Sequence, residues 1–342
     1  MDNIINNIRK SSIPEERKKE LIVYAKTLLK NDLPVFFDER HLTVTLNIPE
    51  KNETVAEFVN SETLSYSIEK RSGDLRMVCS PNFNLKEAQR WLLNNILVKI
   101  PVSDVAHGFV KNRSILTNAC LHVHLEDFWV LKMDIEDFFS SISSKNVQDL
   151  FQSIGYNNEV SDVLATLCTY SNCLAQGFPT SPYLANLFLK DFDNKLVSYF
   201  REKDFEVTYT RYADDLVFSG IKGRGYTIII KEIIQFVSDE LEKLDLKVNE
   251  KKTCIQKKKI KKITGLNVSS DGVSISNKYI KKLNQTIYYC EKYGVVDHLK
   301  HVNKENVSNF KGYLFGQAYF IKMIDEYKGA EIIKRLKRLD WI

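Results

Sequence analysis

Apolar residues recur along this chain with two periods, and the alternation between them sketches the elements. Residues 14–31, PEERKKELIVYAKTLLKN, carry the helical spacing and open on a proline, which fits a helix start. Residues 64–80, LSYSIEKRSGDLRMVCS, alternate on both sides of a Ser-Gly-Asp turn and predict a hairpin. NLKEAQRWLLNNILVKI predicts an amphipathic helix that stops before Pro101. A loop, HGFVKNRS, leads to a short helix around Thr117–His124, and Phe128–Met133 form a compact apolar strand running into Asp134. Residues 145–170 read as helical. SPYLANLFLKDFDNKLVSYF reads as one helix, with Pro182 in its first turn. VTYTRYADDLVFSG predicts two strands about a tight turn, and TIIIKEIIQFVSDELEKL an amphipathic helix. ITGLNVSSDGVSI predicts a second hairpin with an Asp-Gly turn, and helical spacing returns from about Asn277. Strands and helices mix without a regular βαβ alternation, so the expected class is α+β.

Composition narrows the choices. Of 342 residues, 44% are hydrophobic and 27% charged, which excludes a disordered or collagen-like chain. No apolar run approaches the ~20 residues of a membrane helix, and the N-terminus has charges where a signal peptide needs an apolar core. The expectation is a cytoplasmic protein without a membrane partner. None of the six cysteines forms a CxxC pair, so neither a zinc site nor a disulfide framework is expected. Charge is uneven. From Lys251 onward there are 20 Lys and Arg against 8 Asp and Glu, whereas the first 250 residues hold 29 against 36. A basic arm on an acidic body suits polyanion binding beside a metal-binding or catalytic centre; a solvated lysine-rich surface is the plain alternative.

Three acids stand where chemistry is expected. Asp134 ends an apolar strand, and Asp214 and Asp215 occupy the tip of an apolar hairpin. Carboxylates held close together need a counter-charge, and a hard divalent cation such as Mg2+ supplies it. If the two elements lie side by side, three carboxylates converge, as two-metal phosphoryl transfer requires.

These residues carry a resemblance. YADD at Tyr212–Asp215 resembles the signature of reverse transcriptases, and it does not stand alone. DIEDFF at Asp134–Phe139 looks like their first metal-binding motif, and QGFPTSP at Gln176–Pro182 like the motif that cradles the substrate. LKVNEKKT at Leu246–Thr253 resembles the lysine-bearing motif, and ITGL at Ile263–Leu266 the grip beneath the primer. The five stand in the right order, and the match runs from about Ile68 to Val268. QGFPTSP continuing into YLANL, the NAxxH pattern at Asn118–His122, and Ile263-Thr264-Gly265 for a VTG pattern are similar to bacterial retron and defence-associated enzymes.

The resemblance implies a right-hand polymerase with fingers, palm and helical thumb. The expected divisions are an N-terminal helical extension at 1–60 and fingers at 61–133, rejoined by 145–175. The palm is expected at 134–144 and 176–275, and a basic helical thumb at 276–342. It implies two Mg2+ ions held by Asp134, Asp214 and Asp215, with deoxynucleotides as substrates. Phe139 takes the position of the steric gate against a 2′-hydroxyl, leaving Phe138 for the core. Arg76, or alternatively Arg71, clamps the triphosphate, while Asp137, Gln176 and Gly177 line the nucleotide pocket. Lys252, or its neighbour Lys251, protonates the pyrophosphate. Arg113, with Lys111, and Asn118 and His122 are candidate RNA contacts; His122 equally suits a hydrogen bond into the core. Of Tyr288, Tyr289, Tyr293, Tyr313 and Phe315, most are expected to serve helix packing rather than base stacking. The implied activity copies a cognate structured non-coding RNA into DNA from an RNA 2′-OH, giving a branched RNA–DNA product. That product would serve antiphage defence through a separate effector protein. The alternatives are a defence-associated enzyme with protein-primed or untemplated synthesis, and a non-catalytic RNA-binding scaffold.

Overall fold

Eleven strands and the helices around them are seen in a computed structural model, which describes residues 2–49, 54–69, 73, 75–302 and 309–341. The strands are β1 (Thr63–Glu69), β2 (Leu75–Pro81), β3 (Phe128–Asp134), β4 (Thr169–Tyr170), β5 (Cys173–Leu174) and β6 (Thr208–Tyr212). They continue with β7 (Asp215–Ile221), β8 (Cys254–Gln256), β9 (Lys261–Ile263), β10 (Leu266–Ser269) and β11 (Gly272–Ser274). The central antiparallel sheet has the order β6-β7-β3-β8. A three-stranded sheet, β11-β10-β9, stands apart from it, and β1 pairs with β2 as a separate hairpin.

Strand β3 is apolar from Phe128 to Leu131 and again at Met133 because both its faces are covered there. Trp129, Leu131 and Met133 join a core with Leu216 and Phe218. Phe128 and Val130 enter a second core with Val217 and with Leu283, Ile287, Leu314 and Leu336 of the C-terminal helices. Successive strand residues point to opposite faces, so Lys132 and Asp134 lie on the same face as Phe128 and Val130, beyond the end of that second core.

Several expectations shift. The N-terminal helices are no appendage, since Leu28 of Glu15–Lys30 and Phe58 of Val55–Ser61 share the first core with Trp129 and Leu131. The division expected between residues 133 and 134 falls inside β3, so the whole strand belongs to the sheet. The helix expected over 84–100 runs Phe83–Asn95 and tightens into a 3-10 turn at Leu97–Lys99. The long helix expected after Pro179 is two, Ser181–Phe188 and Lys190–Glu202, broken at fully buried Leu189 (φ −86°, ψ 2°). The short helix is Ile115–Cys120, started by a capping box at Ser114 and Thr117. Strands β8 and β9 add to what was expected.

The C-terminal region is helical as expected, in Asn277–Tyr293, Val295–His301, Phe310–Ile324 and Glu326–Leu336. Arg335 ties the last helix to the first of these, donating to both carboxylate oxygens of Glu291 at 2.9 and 2.8 Å and to Asn284 at 2.8 Å. Phe315 packs against the second core, but Tyr288, Tyr289, Tyr293 and Tyr313 are exposed, contrary to the packing expected of them. No helix among the described residues is long and apolar enough to cross a membrane.

Candidate active site

Backbone pairing brings the three acids together. Asp134 is the cross-strand partner of Asp215, and Asp215 also pairs with Tyr212 across the tight turn. Directly opposed residues share a face, so both carboxylates project to the same side of the sheet. Asp214 sits in the turn, where its carbonyl accepts from the Ile135 amide at 3.1 Å. The carbonyl of Asp134 accepts from the Asn249 amide at 2.7 Å, which docks the Glu250–Lys252 turn beside it. As a result Lys252, although exposed like Lys251, donates from Nζ to both oxygens of Asp134, at 2.8 and 3.0 Å. Lys132, two residues before Asp134 on the same face, places its Nζ 3.5 Å from Asp215 Oδ1.

The electrostatics match this crowding. Burial raises the Asp134 pKa above the usual carboxylate range, against the pull of Lys252. Burial, then the charge of Asp134, raise Asp214 in the same way. The hydrogen bond to Asp134 lifts the Lys252 ammonium, so it stays protonated. The donors are carboxylate oxygens, the chemistry that suits Mg2+ and similar hard cations. Among the described residues, however, no three His, Cys, Asp or Glu side chains are arranged to hold a metal ion. Lysine ammonium groups face the acids instead.

The residues expected to bind the nucleotide lie on the turn after β3, on the QGFPTSP loop and on β2. Phe138 is buried and Phe139 half-buried, their rings 5.3 Å apart. Asp137 is exposed with φ 44°, and its carbonyl accepts from the Ser141 amide at 3.0 Å. The carbonyl of Gln176 accepts from the Cys79 amide at 2.8 Å, fastening the QGFPTSP loop to β2. Gly177 is required there: its φ is +114°, and a Cβ would meet the Cys79 carbonyl oxygen at 2.2 Å. Arg76 lies exposed on β2, opposite Ile68. Arg71 lies outside the described residues.

Three expected RNA contacts need correction. His122 is fully buried, with Nδ1 2.7 Å from Ser219 Oγ and Nε2 2.7 Å from Thr210 Oγ1, so it staples β6 to β7 and meets no solvent. Asn118 is also fully buried. The Arg113 guanidinium donates to the carbonyls of Ser103, Asp104 and Ala106, at 3.2, 2.6 and 2.6 Å, and braces its own loop. Lys111 stays exposed.

Sequence reasoning passed over Lys132 and Arg211. Each is a basic residue within a strand that leads to an acid of the site, which was the available signal. Arg211 is fully buried on the opposite face of the sheet and ion-pairs with Asp193 at 2.7 Å.

Residues 68–268 match the family model described as reverse transcriptase (RNA-dependent DNA polymerase). The retron Ec86 reverse transcriptase of Escherichia coli is 35% identical over 243 residues, covering 69% of this chain and 72% of that one. The retron Mx65 reverse transcriptase of Myxococcus xanthus is 29% identical and covers 93% of this chain and 76% of its own. Apo telomerase from Candida tropicalis superposes with a TM-score of 0.48 at 14% identity, over 95% of this chain and 66% of that one, a likeness that adds nothing to the family match. The chain belongs to the reverse transcriptases and, among them, to the retron type: it is an RNA-directed DNA polymerase with the right-hand fold.

Proposed function

We propose that this enzyme copies part of a cognate structured RNA into DNA starting from a 2′-hydroxyl of that RNA, leaving a branched RNA–DNA product. The product serves antiphage defence in the cytoplasm, together with a separate effector protein. The observation that carries the catalytic half is the register of Asp134 opposite Asp215, with Asp214 in the adjoining turn. In this reading Asp134, Asp214 and Asp215 would hold two Mg2+ ions. When bound, the ions lower the pKa of the attacking hydroxyl and stabilise the leaving oxygen.

The remaining roles belong to the chain. The attacking hydroxyl gives its proton to solvent water, its oxygen bonds to the α-phosphorus, and the bond from that phosphorus to pyrophosphate breaks. Lys252, held protonated beside Asp134, gives its proton to the departing pyrophosphate. Arg76 pairs its planar fork with triphosphate oxygens. Gln176 and Gly177 floor the pocket together with Asp137, and half-buried Phe139 fills the space a ribose 2′-hydroxyl would need. The fingers then comprise 61–127 with 145–175, the palm 128–144 with 176–275, and the thumb 276–342.

Nucleic acid co-purifying with the protein from its host tests both halves. After deproteinisation, denaturing gels should show a short DNA that shifts with an RNA-debranching enzyme, and Asp214→Asn should purify without it. DNA indifferent to debranching, or lost with the protein on extraction, would overturn the 2′-priming. Full DNA synthesis by Asp214→Asn would overturn the metal site.

A further inference from the structure

Behind the catalytic turn, on the face of the sheet away from the carboxylates, lies a buried ionic network. Strand β6 alternates, so Thr208, Thr210 and Tyr212 share the face of Asp215 while Tyr209 and Arg211 point into the helical core. Arg211 forks onto Asp193 of the helix Lys190–Glu202, with Nε 2.9 and 3.2 Å and Nη2 2.7 Å from its carboxylate oxygens. The Tyr209 hydroxyl donates to the same carboxylate at 2.8 Å. The other guanidinium arm, Nη1, donates to Oδ1 of Asn186 at 2.8 Å and to the carbonyl of Ala213 at 3.3 Å. Asn186, itself buried, donates to the carbonyl of Gly108 at 2.8 Å.

Gly108 closes the circuit. A Cβ at that position would meet the Ala213 amide nitrogen at 2.6 Å. The same loop is laced to β6 through the Arg211 backbone, which donates to Val105 at 2.8 Å and accepts from His107 at 2.7 Å. Ala213 is thus bracketed by the guanidinium at its carbonyl and by Gly108 at its amide. It needs that bracket, because its φ of 58° lies in the left-handed region that alanine avoids. The residue that follows is Asp214, whose direction the Ala213 backbone sets.

A buried ion pair is a poor way to gain stability, since well-packed apolar residues do as well or better. Its use here is orientation. We propose that Arg211, Asn186 and Asp193 form a positioning unit that aims Asp214, an inference that rests on reading Asp214 as a metal ligand. The unit acts through the peptide backbone and touches neither substrate nor ion.

Removing Arg211 or Asp193 strands a buried charge and risks unfolding, so Asn186→Ala is the working variant. It leaves the Arg211–Asp193 pair and cuts the link to Gly108. The enzyme is assayed as its RNA complex for kcat, KM for deoxynucleotide and the Mg2+ concentration at half-activation. Mn2+ affinity is read independently from the EPR signal of the free ion. The positioning role predicts a kcat about tenfold to a hundredfold lower, weaker Mn2+ binding, a raised Mg2+ requirement, and little change in KM. Tyr156→Phe, which loses a 3.0 Å bond to the Pro34 carbonyl outside this network, serves as the stability control and should shift none of these. Unchanged Mn2+ affinity and Mg2+ dependence in Asn186→Ala, beside an inactive Asp214→Asn, would overturn the positioning alone. An active Asp214→Asn would overturn the underlying metal reading.

Discussion

His122 shows what one buried polar residue does for this fold. Its two ring nitrogens meet Thr210 and Ser219, hydroxyls on neighbouring strands, and burial drives its pKa down to about 3 from an ordinary 6.5. His124 and His107 face it, and their charges push in the same direction. The folded protein therefore keeps the imidazole neutral at pH values where the unfolded chain takes up a proton. Stability is full above about pH 6.5 and falls as the pH drops from there toward 3, by about 2 kcal/mol at pH 5 from His122 alone. His107, lowered to about 4, adds to the loss. Denaturant unfolding at pH 7.5 and pH 5 should show a smaller loss for His122→Gln than for wild type; an equal loss would mean that His122 is charged in the fold. The sequence left this residue open between RNA and core because a helix histidine suits both. The deciding partners, Thr210 and Ser219, are about 90 residues away and reveal themselves only through the strand register. The acids at 134, 214 and 215 were legible for the opposite reason, since each is adjacent in sequence to the apolar strand that fixes it.

At the scale of elements, the QGFPTSP loop and β2 meet through a contact that tolerates no side chain. Gly177→Ala adds a Cβ against the Cys79 carbonyl at a φ of +114°, so it combines a clash with an unfavourable backbone conformation. The cost is about 2 kcal/mol or more, and relief comes by parting the loop from β2. If the loop floors the nucleotide pocket as proposed, the variant should raise KM for deoxynucleotide and lower the melting temperature together. A wild-type KM would separate Gly177 from the nucleotide pocket. The hairpin and the helix starts were visible in the chain because turn glycines, prolines and capping residues act locally. The break at Leu189 was not, since nothing local interrupts the helical spacing of SPYLANLFLKDF, and the kink lets Leu189 reach the core. Strand β8, three residues long with two of them exposed, offers no periodicity; pairing with β3 alone makes it a strand.

For the whole molecule, the proposed function assigns the holding of RNA to the basic C-terminal third, beside an acidic body that carries the catalytic carboxylates. This asymmetry was plain from the sequence, whereas the exposure of Tyr288, Tyr293 and Tyr313 was not, because helical spacing fixes which residues share a face but not which face is covered. Lys278, Lys281 and Lys282 are exposed on the helix Asn277–Tyr293 that also presents Tyr288 and Tyr293, with Lys292 5.0 Å from the ring centroid of Tyr293. Such a surface neutralises phosphates with its ammonium groups and offers rings to unpaired bases. Replacing the three lysines by glutamine removes charge without touching Leu283 or Ile287, which anchor the helix in the second core. RNA affinity should fall, and the dependence of log K on log salt should flatten by about 0.7–0.9 for each phosphate that is no longer neutralised. Tyr288→Ala should behave differently, weakening binding to RNA with unpaired loops while leaving the salt slope intact. If the lysine variant binds with the wild-type slope, the basic third is merely a solvated surface, and the RNA must be held by the body that carries the acids.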